Sequence, residues 1–318
     1  MKTILVLALD GVMDSSLAIT VDTIRAARYL APGAKALRLL VAGNRKTVKT
    51  GAGMRLDVDL SFAEAARAKP DWVIVPGLGL ATDEVISTRL AQADMQAAAR
   101  LLRQMPPSTR IGASCSAVFL VAHTGLLDGR HATMTWWLAH LFRARHPEVK
   151  LDEARMLVRD GNILTAGSAF AQLDLMLAVI ADAVGNEAAE VCARYLLIDQ
   201  RPSQARYMAL THVQHVDPTV VAAERWIDAH LAEAISVKAL ADALGMTSKT
   251  LSRRIDAAMG LSPLKFVQRR RLMRAAHLIE TTGLSIEAVA ERVGYQDGTA
   301  LRKLIKREFG VTPGAMRA

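Results

Sequence analysis

"GASCSAVFL", residues 112–120, puts a single cysteine, Cys115, between a short apolar run and a helical pattern. The run before it, "RIGAS", reads as a strand, and three more follow the same form: "TILVLAL", "ALRLLVAG" and "DWVIVPGLGL". None alternates apolar with polar residues, so each is expected to be buried on both faces, in a parallel sheet covered by helices. Helical stretches are expected from about Ser15 to Leu30 and, as one long helix, from Asp83 to Gln104. The expected fold of the first half is therefore α/β, a flavodoxin-like parallel sheet with helices on both faces. In such sheets the functional crevice lies at the carboxyl ends of the strands. The loops Asp10–Ser16, Pro76–Gly79 and Ser114–Ser116 should meet there.

A strand–turn–helix elbow holds its central residue in a strained backbone conformation and aims the side chain at the crevice. The amides of the following helix are expected to favour a thiolate at Cys115. Two readings stay open at this point: a nucleophile or redox-sensitive thiol, and a small residue chosen for a tight turn.

Composition bounds the classes. The chain has 318 residues, 51% of them apolar, enough for two domains with cores of their own. No segment supplies the ~20 unbroken apolar residues of a membrane helix. The opening "MKTILVLALDG" is read as a buried first strand, because Asp10 ends its apolar run early. Two cysteines make no disulfide framework, and no Cys/His cluster has zinc spacing, so no metal and no cofactor is expected. A reducing cytoplasm is the expected location. Net charge is +9. Residues 217–318 carry 16 Lys/Arg against 11 Asp/Glu, and Lys249–Arg274 holds eight cations and one acid. Such a cluster points to a polyanion partner, with a solvated helix face as the plain alternative.

Around residues 191–216 periodicity weakens in a polar, proline-containing stretch, read as a linker between domains 1–190 and 217–318. The second half is expected to be all-α, with Asp217 capping a helix that starts at Pro218. In "ISVKALADALGMTSKTLSRRIDAAMG", Val237, Leu240, Ala241 and Leu244 recur at helical spacing, Gly245 turns the chain, and Thr247 caps a second helix with Leu251 and Ile255 inside. That is a helix-turn-helix. Its outer face, Ser248, Lys249, Thr250, Ser252, Arg253 and Arg254, is short, polar and cationic, as a major-groove reader should be. The arrangement repeats in "LSIEAVAERVGYQDGTALRKLIKREFG", with a turn at Gly294 and an outer face of Thr299, Arg302, Lys303 and Lys306. A long helix over "SPLKFVQRRRLMRAAHLIETTG" would hold the two readers in fixed relation.

"VIVPGLG", "GASCSAVFLVAHTGLLDGRHAT" and "ILTAGSAFAQLDLMLAVI" resemble the PfpI-type branch of the class I glutamine-amidotransferase-like superfamily, over about residues 1–190. The resemblance is nearest to members fused to transcription regulators. "SPLKFVQRRRLMRAAHLIE", "LSIEAVAERVGY" and "REFGVTPGAMR" resemble the AraC family of bacterial regulators, over residues 217–318. In the amidotransferase-like enzymes the elbow cysteine has a histidine partner and a first-loop acid. The resemblance places Thr135 and Ser16 at those positions, and Ser116 where PfpI-type peptidases put a histidine. His123 would lie about 12 Å along the helix, out of hydrogen-bond reach. His131 falls four residues before the matching position, and His146 only 31 residues after Cys115. A thiolate with no base and no orienting acid is a poor acyl-transfer catalyst.

The expectation is thus a DNA-binding transcription regulator and not an enzyme. Its first domain senses a small molecule or dimerises. Ser16, Gly77, Leu78, Cys115, Ser116 and Thr135 would line an effector site, with amides of the elbow and the Pro76–Gly79 turn offering donors to an anionic group. Expected partners are a double-stranded DNA operator, an unknown small effector, RNA polymerase and a second copy of the chain, with no membrane. Two alternatives are a bifunctional protein that keeps cysteine hydrolase activity and a redox sensor acting through Cys115. One or both of Trp136 and Trp137 are read as core rather than ligand-stacking, Arg271 as a support of the helical fold, and Cys192 as a buried apolar residue.

Overall fold

The computed structural model describes residues 2–199, 201–208 and 217–317. The chain forms two compact units, Met1–Leu138 with His146–Arg201, and Ala139–Arg145 with Pro202–Ala318. Gln200 and residues 209–216 of the expected linker lie outside the described residues.

In the first unit the principal sheet has seven strands: β1 (Lys2–Leu7), β2 (Leu37–Gly43), β3 (Leu60–Ser61), β4 (Trp72–Val75), β5 (Arg110–Ser114), β6 (Leu157–Asp160) and β7 (Ile163–Ala166), in the order β6-β7-β5-β4-β1-β2-β3. All pairings are parallel except β6 with β7. The order β2-β1-β4-β5-β7 is the flavodoxin-like arrangement. The unbroken apolar runs are explained by burial: Ile4–Leu7 and Val73–Val75 are wholly covered. One helix group, α1 (Asp14–Leu30), α7 (Ala171–Val184) and α8 (Asn186–Tyr195), packs together, and a second contains α2 (Phe62–Arg67), α3 (Asp83–Leu90), α4 (Ala93–Gln104) and α5 (Val118–His123).

The expected long helix over 83–104 is two helices. Arg89 and Asp94 pair at 2.6 Å, and the same guanidinium donates to the Asp10 carbonyl. Residues five apart do not share a face of a continuous helix. The break at Ala91–Gln92 brings this pair together beside the first loop.

The second unit holds α6 (Ala139–Arg145) with α9 (Pro218–Ala229), α10 (Val237–Ala243), α11 (Ser248–Met259), α12 (Pro263–Thr281), α13 (Ile286–Arg292), α14 (Gly298–Phe309) and α15 (Pro313–Met316). Asp217 caps α9 through the Thr219 amide at 2.7 Å. Gly245 (φ 66°) and Gly294 (φ 77°) make the two turns in left-handed backbone that glycine adopts without strain. Leu240, Ala241, Leu251 and Ile255 fill the core of the first helix pair, and Val289, Ala290, Leu301 and Ile305 are their buried equivalents in the second. Helix α6 packs on α11. A Cβ on Gly260, at the C-terminal cap of α11, would come within 3.0 Å of Arg143 Nε. This cation at the end of α11 complements its macrodipole.

Candidate functional site

The carboxyl ends of the parallel strands converge as the sequence pattern requires. β5 stops at Ser114, and Cys115 follows with φ 55°, left-handed backbone that a side chain rarely adopts. Only neighbouring structure sustains such a conformation; here the Cys115 amide donates to the Gly167 carbonyl at 2.7 Å. Ser116 Oγ accepts from the Leu80 amide at 3.1 Å, tying the elbow to the loop after β4. The Gly77 carbonyl accepts from Met13 N at 2.8 Å, which ties that loop to the start of α1. Glycine is needed at 77 because a Cβ would lie 3.0 Å from Ser16 Oγ and 3.3 Å from both Cys115 Cβ and Met13 Sδ.

Ser16 and Cys115 therefore face one another across Gly77, with Leu78 buried beside them. Thr135 Oγ1 lies 3.4 Å from Ser168 Oγ. The structure thus brings Ser16, Gly77, Leu78, Cys115, Ser116 and Thr135 into one site. All six are buried.

Two expectations about the elbow need correction. Burial pushes the Cys115 thiol up, and hydrogen bonds from Ser116 and Thr135 oppose it only in part. Loss of water around a charge outweighs these contacts, so the elbow does not favour a thiolate. The Cys115 amide is also no donor for an anionic ligand, because Gly167 already takes it.

The three histidines weighed in the sequence have other neighbours. His123 Nε2 lies 3.3 Å from Gln96 Nε2, His131 Nδ1 pairs with Asp160 at 3.2 Å, and His146 lies against Phe119. Trp136 and Trp137 are half-buried and meet edge to face, with ring centroids 5.3 Å apart. Cys192 is fully buried. Asp174 pairs with Arg201 at 2.5 Å.

Sequence reasoning missed a second layer behind the elbow. Gln172 Nε2 donates to Thr20 Oγ1 at 2.8 Å, and Thr20 Oγ1 donates to the Ser16 carbonyl at 2.8 Å. Gln172 and Thr20 are wholly buried. A polar residue in the apolar helix "AQLDLMLAVI" was the available signal.

The reader helices are built alike. Thr247 Oγ1 caps α11 through the Thr250 amide at 3.2 Å, and Asp297 caps α14 through the Ala300 amide at 2.7 Å. Lys249, Arg253, Thr299, Lys303 and Lys306 are exposed and form no ion pair among the described residues. Thr250 Oγ1 lies 3.0 Å from the capping Thr247 Oγ1, and Ser252 Oγ donates to the Ser248 carbonyl at 2.8 Å. Arg254 is exposed as well and donates to Thr219 Oγ1 of α9.

Arg302 pairs with Glu287 at 2.7 Å, both side chains about half exposed, an arrangement that water weakens. Gly298 makes room for this pair, since a Cβ there would meet Glu287 Oε1 at 2.6 Å. Within the arginine run, Arg271 donates to the Gly294 and Glu233 carbonyls and supports the second turn. Arg270 is buried against Glu224 and Asp228.

Comparison with known proteins follows this division. The chain matches the DJ-1/PfpI family over residues 2–182 and a helix-turn-helix domain over residues 240–318. It is 29% identical over 234 residues to the HTH-type transcriptional regulator GlxA of Rhizobium meliloti, covering 71% of this chain and 70% of that protein. It is 26% identical over 313 residues to the HTH-type transcriptional regulator GbdR of Pseudomonas aeruginosa, covering 96% of this chain and 82% of that protein. The solved structure of an AraC family transcriptional regulator from Pseudomonas putida shares the fold, with a TM-score of 0.52 and 20% identity, over 62% of this chain and 100% of that one.

Proposed function

The chain belongs to the DJ-1/PfpI family through its first half, and from that premise we propose a one-chain transcription regulator whose first domain senses a small effector and whose second binds an operator. The observation that carries the reading is the pair of equally built, capped reader helices with exposed cations, in a chain alignable over 96% of its length with a protein named as a transcriptional regulator. The functional division falls at residues 1–190 and 217–318. The effector site is Ser16, Gly77, Leu78, Cys115, Ser116 and Thr135. Its elbow carries Thr135 and Ser16 where the related enzymes are expected to hold a base and an acid, and on this reading the domain is a sensor and not a catalyst. Lys249, Arg253, Thr299, Arg302, Lys303 and Lys306 face the DNA, with Ser248, Thr250 and Ser252 at the helix start. The protein works in the cytoplasm as a homodimer, with RNA polymerase as a further partner. Thr135 is separated from α6 only by Trp136–Leu138, and α6 packs on α11 in the helical unit. A shift at Thr135 therefore has a short path along the chain to the helix beside the first reader.

Two readers joined by the helix α12 should enter successive major grooves on one side of the duplex, ~34 Å or one turn apart. Footprinting of the full chain on DNA upstream of its own coding region should show paired protections at that spacing. Binding that follows salt but ignores sequence would contradict operator recognition.

A further inference from the structure

The elbow holds buried polar atoms that the fold itself does not use. Among the described residues, Ser16 Oγ, Ser114 Oγ and Gln172 Oε1 have no hydrogen-bond partner, and all three residues are wholly buried. A buried polar atom without a partner is destabilising, and native proteins keep few of them. Ser16 Oγ lies beside Gly77 and across from Cys115. A hydroxyl can donate or accept, and an amide oxygen accepts.

The side-chain atoms nearest to a Cβ at Gly77 are those of Ser16, Cys115 and Met13, none of them charged. An ion brought into such a place loses its water and meets no counter-charge.

We propose that the elbow receives the uncharged, hydrogen-bonding end of a small effector, such as a primary amide or a hydroxyl group, with Ser16 Oγ as its partner. The proposal rests on the elbow being the effector site and specifies the ligand class that it takes. A carboxylate or ammonium group belongs outside it.

Three probes of matched size test this on the full chain at equal ionic strength: propionamide, propionate and propylammonium. Two readouts are followed, the thermal midpoint and the rate at which Cys115 is alkylated, measured by mass spectrometry. Propionamide should raise the midpoint and slow alkylation, by about tenfold when it reaches about ten times its dissociation constant. The two ions should do neither. Ser16→Ala should remove both effects of propionamide without lowering the midpoint of the unliganded protein, because this hydroxyl has no partner to lose. Protection of Cys115 by propionate or propylammonium as strong as by propionamide would keep the elbow as the site and overturn the ligand class. A raised midpoint with unchanged alkylation would place the binding elsewhere and overturn both readings. No effect of any probe on either readout would also overturn the proposal.

Discussion

Arg270→Ala should destabilise the helical unit by about 3–5 kcal/mol, the cost of removing one partner from a buried ionic cluster. Arg270 lies in the middle of α12 with only 7% of its side chain exposed. It donates to Glu224 at 2.9 Å and, through two nitrogens, to both oxygens of Asp228, so that α12 is fixed to α9. Glu224, 14% exposed, would lose this cation from a nearly buried place; Asp228, 43% exposed, can turn to water. Glu224 therefore carries most of the loss. Urea unfolding followed by hydrogen exchange in α9 and α12 measures the change. Arg270→Met combined with Glu224→Gln should recover much of it, since an uncharged pair leaves no buried ion. A loss below about 1 kcal/mol for Arg270→Ala, the range of exposed ion pairs, would mean that the cluster does not join the helices.

Arg253→Ala should weaken operator binding by about 1–3 kcal/mol and relax the preference at one base pair. Arg253 is exposed on α11, one turn beyond Lys249, and its guanidinium has the fork that matches the O6 and N7 edge of guanine. Lys303→Ala and Lys306→Ala should behave differently if these lysines touch phosphate. Each would weaken all sequences alike and lower the salt slope by about 0.9. Titration against a set of single-base operator variants at several salt concentrations separates the two outcomes. An Arg253→Ala protein with unchanged base preference and a reduced salt slope would assign Arg253 to the backbone.

The parts of the fold that local pattern controls were legible in the chain. "RIGAS" is β5 to the residue, because a buried parallel strand has no polar face to blur its ends. Asp217 and Thr247 were readable as caps, since capping needs only a short side chain at a helix start. Gly245 and Gly294 marked both turns, and Leu251 and Leu301 both proved wholly buried.

What escaped depends on contacts between distant residues. At the break between α3 and α4, Arg89 meets Asp94 and the Asp10 carbonyl, a set of contacts that no local spacing encodes. The hydrogen bond from Arg254 to Thr219 spans 35 positions and sets Arg254 apart from Arg253. The thiol at Cys115 was expected to lean toward thiolate from its place before a helix; the near-complete burial that reverses this is a property of the packed site. The placement of α6 in the helical unit likewise has no sequence signal, because "AHLFRAR" reads as an ordinary amphipathic turn of helix.

The proposal of sensing without turnover rests on the buried thiol of Cys115 and on Ser16 and Thr135 beside it. The direct measurement is turnover by the purified full chain on a panel of small amides, peptides and reactive aldehydes, wild type against Cys115→Ala. The account predicts no rate above background for either protein, with Cys115→Ala still folded and still bound to the operator. A rate in the wild type that vanishes in Cys115→Ala would contradict it and restore Cys115 as a nucleophile.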